Sequence, residues 1–217
     1  MKSYRENIRN SITTIAACLI LMIAGCGNTE EPAQATAASS AQVASSAQAV
    51  HEITKESESL YHQAAQAYGK GNHTEALKLA NQALATDEKN YKALSLKGII
   101  LAFDASPEEG IASVQKALEV NPNYTQAFFD MAMAQKLGKH YDESIFYFEK
   151  VLQADPKNTW SYYGIATNYA DKHDKENALK YLRQAMALDP QNVRPEAKTQ
   201  DHFAWMRKDE DFLQTIK

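Results

Sequence analysis

Cysteine is nearly absent from this chain of 217 residues. Its two cysteines, Cys18 and Cys26, lie close to the start and none follows. Past position 26 there can be no disulfide framework, no thiolate nucleophile and no cysteine-ligated metal. Runs of basic residues are also missing, and the formal net charge is −4, which argues against nucleic acid as a partner. No His-Glu-x-x-His helix, glycine-rich phosphate loop or nucleophile elbow occurs, so the usual catalytic signatures are lacking. Six histidines are present; His73, His140 and His173 fall at corresponding turns, where solvation is expected to satisfy them. Asp87, Asp155 and Asp189 recur at helix ends in the same way. The reading is of a protein that is not an enzyme and holds no metal or cofactor.

What is present begins with a basic start, Lys2, Arg5 and Arg9 against Glu6, followed by the apolar run IAACLILMIAG at 15–25. Eleven residues fall short of the ~20 that a membrane-crossing helix needs. A basic start, a short apolar middle and small residues at its end describe a secretory signal over 1–25. Ile23-Ala24-Gly25-Cys26 resembles the lipobox of bacterial lipoproteins, with isoleucine where leucine is commonest. That resemblance implies a diacylglycerol on the Cys26 sulfur, cleavage before Cys26 and acylation of the new N-terminus. Two or three chains exceed the one-chain limit of marginal membrane binding. Cys18 leaves with the signal, and the mature chain carries a charge of about −6. The expected location is the extracytoplasmic side of a cell membrane, periplasmic or at the cell surface.

Residues 27–52, GNTEEPAQATAASSAQVASSAQAVHE, contain no aromatic residue and carry the unit ASSAQ twice. Such a segment cannot bury enough surface to order itself. With Cys26 it reads as a tether over 26–52, spanning ~30 Å as a flexible coil. The domain proper is expected over 53–217.

There the sequence repeats. ALATDEKN (83–90), ALEVNPNY (117–124), VLQADPKN (151–158) and AMALDPQN (185–192) align at a period of 34, giving units 57–90, 91–124, 125–158 and 159–192. Small residues hold the eighth place (Ala64, Gly98, Ala132, Ala166) and the twentieth (Ala76, Gly110, Ser144, Ala178). At the twenty-seventh stand Ala83, Ala117, Val151 and Ala185. Small side chains at fixed places let two helix backbones approach closely. Leu84, Leu118, Leu152 and Met186 fill between them. Ser106-Pro107-Glu108-Glu109 is a cap followed by proline, Asn72 to Glu75 repeats the logic, and Pro122, Pro156 and Pro190 end second helices.

These residues resemble the tetratricopeptide repeat, a helix–turn–helix unit of 34 residues. Glu88 in place of the closing proline and Gln135 in place of an aromatic depart from it. The resemblance implies an all-α, right-handed superhelical solenoid of four repeats. The tail over 193–217 resembles the closing segment that follows many such arrays. It is expected to cap the last helix with Phe203, Met206, Phe212, Leu213 and Ile216, with ligand binding by Trp205 as the rival reading.

In helical projection one face of each first helix lies ~140° from its packed side. In tetratricopeptide proteins that face lines a concave groove that binds peptides. Here it carries Tyr61 and Tyr68, then Lys92, Ile99 and Phe103, then Phe129, Met133, Lys136 and Leu137, then Trp160, Tyr163 and Thr167. Tyr61, Tyr68, Phe103, Phe129, Met133, Trp160 and Tyr163 are the candidate groove, since aromatic anchors dominate interface energetics. Packing between adjacent first helices is the alternative for this set, above all for Ile99, Met133 and Leu137. The asparagine and lysine clamp of chaperone-binding members is missing, with Tyr61 and Ala65 where it begins.

The expected function is a membrane-anchored adaptor or assembly factor of the cell envelope that captures a peptide segment of another envelope protein. A narrower version resembles lipoprotein pilotins and envelope-assembly factors of this fold. The alternative is a glycan-binding lipoprotein that stacks a sugar on Trp160 and Tyr163.

Overall fold

A computed structural model describes residues 50–217, so Cys26, the signal and most of the tether lie outside the described residues. Eight helices form four pairs: α1 (Lys55–Gly69) with α2 (His73–Thr86), α3 (Tyr91–Asp104) with α4 (Pro107–Val120), α5 (Thr125–Leu137) with α6 (Tyr141–Ala154), and α7 (Thr159–Asp171) with α8 (Lys175–Leu188). The tail adds α9 (Pro190–Thr199), a 3-10 segment (Asp201–Met206) and α10 (Glu210–Thr215). No strand occurs among the described residues. Each helix packs on the next in sequence, and successive first helices also touch one another, which makes the array an all-helical solenoid.

Local chemistry explains the boundaries. The side chains of Thr54, Asn72, Asn90, Ser106, Asn158 and Asp174 each accept from a backbone N–H of the first turn they precede. The third pair has no such bond, because Tyr124 and His140 stand at its caps. Between first and second helices the chain turns through the left-handed region at Gly71 (φ 74°), Lys139 (φ 64°) and His173 (φ 58°). Only the first of these is the residue that adopts it without strain.

The small-residue rows do what close approach requires. A Cβ at Gly98 would lie 2.4 Å from Val114 Cγ2 and 2.8 Å from the Gly110 carbonyl, so α3 and α4 touch backbone to side chain. Ala64, Ala76, Ala83, Ala117, Ala132, Ala166, Ala178 and Ala185 are fully buried. Pro122, Pro156 and Pro190 each stand two residues past the end of a second helix, as expected, and Pro190 does more. The helix before it stops at Leu188, and Pro190 opens α9 with Asp189 as its cap.

Candidate functional site

Contacts between neighbouring first helices recur at about one repeat length. The Lys92 ammonium lies 2.6 Å from Glu58 Oε1, 34 positions away, and 5.9 Å from the centre of the Tyr61 ring. The Ser95 hydroxyl donates to Asp130 Oδ2 at 2.6 Å across 35 positions. The Lys136 ammonium donates to Thr167 Oγ1 (2.8 Å) and Asp171 Oδ2 (3.0 Å), 31 and 35 positions on. One period is the distance at which equivalent places on stacked repeats face each other.

Two of these contacts hold buried charge. Asp130 is 5% exposed and receives only neutral donors, Ser95 and the Gln126 amide at 2.9 Å. Burial pushes its carboxyl up to about 7. Around it stand Tyr61, Tyr68 and Tyr124, whose hydroxyls burial makes harder to ionise; the Asp130 charge acts in the same direction on all three, after the Tyr61 hydroxyl in the case of Tyr124. Asp171 sits between two partners, Lys136 and His202, whose Nδ1 is 2.7 Å from Asp171 Oδ1. Burial is the strongest pull on Asp171 and acts upward. The His202 hydrogen bond and the Lys136 charge together overcome it and hold the carboxyl below its ordinary value. Burial, then the nearby Lys136 charge, pushes the His202 imidazole down, so it stays neutral and donates from Nδ1.

The predicted groove residues are placed differently from the open face expected of them. Tyr68 (8% exposed), Phe129 (6%), Met133 (6%), Trp160 (8%) and Tyr163 (4%) are buried in one continuous core. Tyr61 and Phe103 are half-buried against it. The physical reason is that large rings on this face bridge successive first helices, and the last such face is covered by the tail. Phe129 meets Phe148 edge-on with ring centres 5.4 Å apart, and Trp160 meets Tyr163 at 5.7 Å. Trp160 and Tyr163 therefore offer no open surface on which a sugar could stack.

The tail seats on α7 through side chains. The Phe203 ring packs edge-on to Tyr163 at 6.0 Å, and the Trp205 indole N–H donates to the Ala170 carbonyl at 3.0 Å beside the His173 ring. Lys175 pairs with Asp209 (2.5 Å) and Asp211 (2.9 Å), and the Arg194 guanidinium donates from Nε to the Ile216 carbonyl at 3.0 Å. Phe203, Met206, Phe212 and Ile216 are buried as expected of a cap, whereas Leu213 stays 43% exposed and Trp205 42%. His73 also differs from the solvated turn residue expected, since its Nδ1 is 2.7 Å from Asp104 Oδ2.

Sequence reasoning missed Asp130 and the partners of Lys136. Asp130 was visible as the lone charge between Ala127 and Ala134. Among the described residues no cluster of histidine, cysteine and carboxylate side chains could hold a metal ion, and no helix is long and apolar enough to cross a membrane.

Residues 125–158 and 161–192 match the family model described as tetratricopeptide repeat. No curated protein matches the chain in sequence. Among solved structures it is similar to TTC0263, a thermophilic TPR protein of Thermus thermophilus, at 15% identity and a TM-score of 0.63, over 73% of this chain and 87% of that one. It is similar to MamA (41-end) from Desulfovibrio magneticus RS-1 at 19% identity and 0.56, over 76% of this chain and 96% of that one. It also resembles YrrB, described as a TPR protein with an unusual peptide-binding site, at 25% identity and 0.54, over 65% of this chain and 74% of that one. Residues 125–158 and 161–192 carry tetratricopeptide repeats, and the described residues share the helical solenoid fold of these structures.

Proposed function

We propose that this protein is a non-catalytic interaction scaffold whose first-helix face captures a segment of a partner protein. One observation carries the reading: the chain's own tail already lies on that face at α7. It is held as a peptide ligand would be, by an aromatic contact, an indole N–H on a backbone carbonyl and a polar side chain on a half-buried carboxylate. The half-buried Tyr61 and Phe103 extend the face toward the first repeats, with the Lys92–Glu58 pair beside Tyr61. The likeness to YrrB, described as having a peptide-binding site, supports the same use. The lipobox resemblance at Cys26 supports anchorage on the extracytoplasmic side of a membrane, where the tether would hold the repeats within reach of envelope proteins.

Photo-crosslinkers at positions 61 and 103 in the native cell test the scaffold. One partner captured from both, and from neither of the exposed second-helix positions 115 and 180, is the expected result; no common product means the reading fails. Anchorage is tested separately. A fatty-acid probe should label the wild type and not Cys26→Ser, and an unlabelled wild type removes the anchor.

A further inference from the structure

The tail differs from the repeats in how it is held. After α9 it consists of a six-residue 3-10 segment and a six-residue helix. Phe203, Met206, Phe212 and Ile216 join the hydrophobic core, and the last helix packs along α8. The polar and ring contacts that accompany this burial centre on α7 and the first residue of α8. They are His202 to Asp171, Trp205 to the Ala170 carbonyl, Phe203 to Tyr163, and Lys175 to Asp209 and Asp211.

The seat is also imperfectly filled. The Tyr163 hydroxyl is buried with no hydrogen-bond partner among the described residues, and so is Arg207 Nε of the tail itself. A buried donor without an acceptor penalises the closed arrangement. Trp205 meanwhile keeps 42% of its surface in solvent. The seat, by contrast, stays electrically paired without the tail. Asp171 retains Lys136 at 3.0 Å, and Thr167 still accepts from the same ammonium at 2.8 Å.

We propose that Asp201–Ile216 is a displaceable strap that occupies the fourth-repeat end of the first-helix face, and that a partner segment binds there by displacing it. The proposal rests on the scaffold reading and deepens it. The seat defines the chemistry of the incoming segment. It carries an aromatic ring for Tyr163 and a neighbouring hydrogen-bond donor for Asp171. It also carries an acceptor that reaches the Tyr163 hydroxyl, which the strap leaves unserved. Such a segment also has to replace the apolar burial of Phe203, Met206, Phe212 and Ile216; where it does, the bond to the Tyr163 hydroxyl that the strap lacks favours it over the attached strap.

The probe is a labelled peptide with the sequence of residues 200–217, added to the full-length chain and to full-length His202→Ala/Trp205→Ala, which loosens the strap and leaves the seat intact. The peptide is expected to bind the loosened chain at least tenfold more tightly than the wild type, and Asp171→Asn in the loosened chain is expected to reverse the gain. Equal affinity for both chains overturns the proposal, as does no binding to a loosened chain that keeps its helical circular dichroism. Hydrogen exchange on the wild type keeps the test open if the variant fails to fold. Strap amides that exchange at least tenfold faster than those of α7 support displacement, and strap amides as slow as α7 overturn it. A loosened chain that dimerises by trading tails overturns the assignment of the seat to a foreign segment. Failure of the scaffold reading is seen elsewhere, in the crosslinks at positions 61 and 103, far from the strap.

Discussion

Asp130 and Asp171 are both largely buried aspartates on first helices, and the solenoid treats them in opposite ways. Asp130 has Ser95 and Gln126 for donors and no cation, so its environment favours the protonated acid. Asp171 has Lys136 and His202, so its environment favours the carboxylate. Burial penalises charge at both sites, and the sign of the outcome is decided by whether a cation stands one repeat away. The array is therefore not uniform in its response to pH: the junction of the second and third repeats gains from acid, while the strap end gains from neutrality.

The comparison breaks most visibly if a partner is removed. Asp171→Ala leaves the Lys136 ammonium buried and unpaired, and should cost about 3–5 kcal/mol in chemical denaturation. Phe129→Ala, next to Asp130 and packed on Phe148, should cost about 3–5 kcal/mol as a core truncation, measured the same way. An unchanged midpoint would return Phe129 to the open groove that its helical position suggests.

Titration should sharpen the contrast. The folded carboxyl of Asp130 lies near 7, above the ordinary 3.8, so the folded state binds a proton the unfolded state has lost. Its contribution is present in acid and fades as pH rises through about 7, amounting to no more than ~4 kcal/mol. Asp130→Asn should therefore stabilise the protein at pH 8, change little at pH 4 and flatten the slope between. His202 runs the other way. Burial and then the Lys136 charge depress its folded value against the opposing pull of Asp171 and Asp201, so its contribution is present above the ordinary 6.5 and lost as pH falls through the folded value. In Asp130→Asn, hydrogen exchange should show the strap loosening between pH 7 and 5 with no compensating gain in α5.

The smallest effects lie in the turns. Lys139 and His173 adopt the left-handed conformation that Gly71 holds at the same place of the first repeat. Lys139→Gly should gain about 0.5–1 kcal/mol in thermal denaturation by relieving that strain. His173→Gly should gain less, because it also removes the ring beside Trp205.

The period was legible because small residues and turn chemistry recur in the chain itself. Gly98 and Gly110 marked the α3–α4 contact that any Cβ would block. The burial of Phe129, Trp160 and Tyr163 was not legible from a helical projection. A projection fixes which way a side chain leaves its own helix, but not how near the next first helix comes or where the tail settles. Asp130 and Lys136 carried a signal that the projection ignored, since a lone charge on an apolar helix needs a partner. Adding one period to Lys136 reaches Ala170, next to Asp171, and adding one period to Asp171 reaches Trp205, three residues from His202.

The hydrogen bonds joining one first helix to the next never reach further than 35 positions along the chain. Contacts so local close only short loops, so little chain entropy is spent before each pairing is rewarded, and rapid folding from whichever repeat forms first is expected. The same locality leaves the two ends of the described array without a clasp between them. Unravelling can begin at either end and advance one repeat at a time, and at the C-terminal end the strap is the first piece to go.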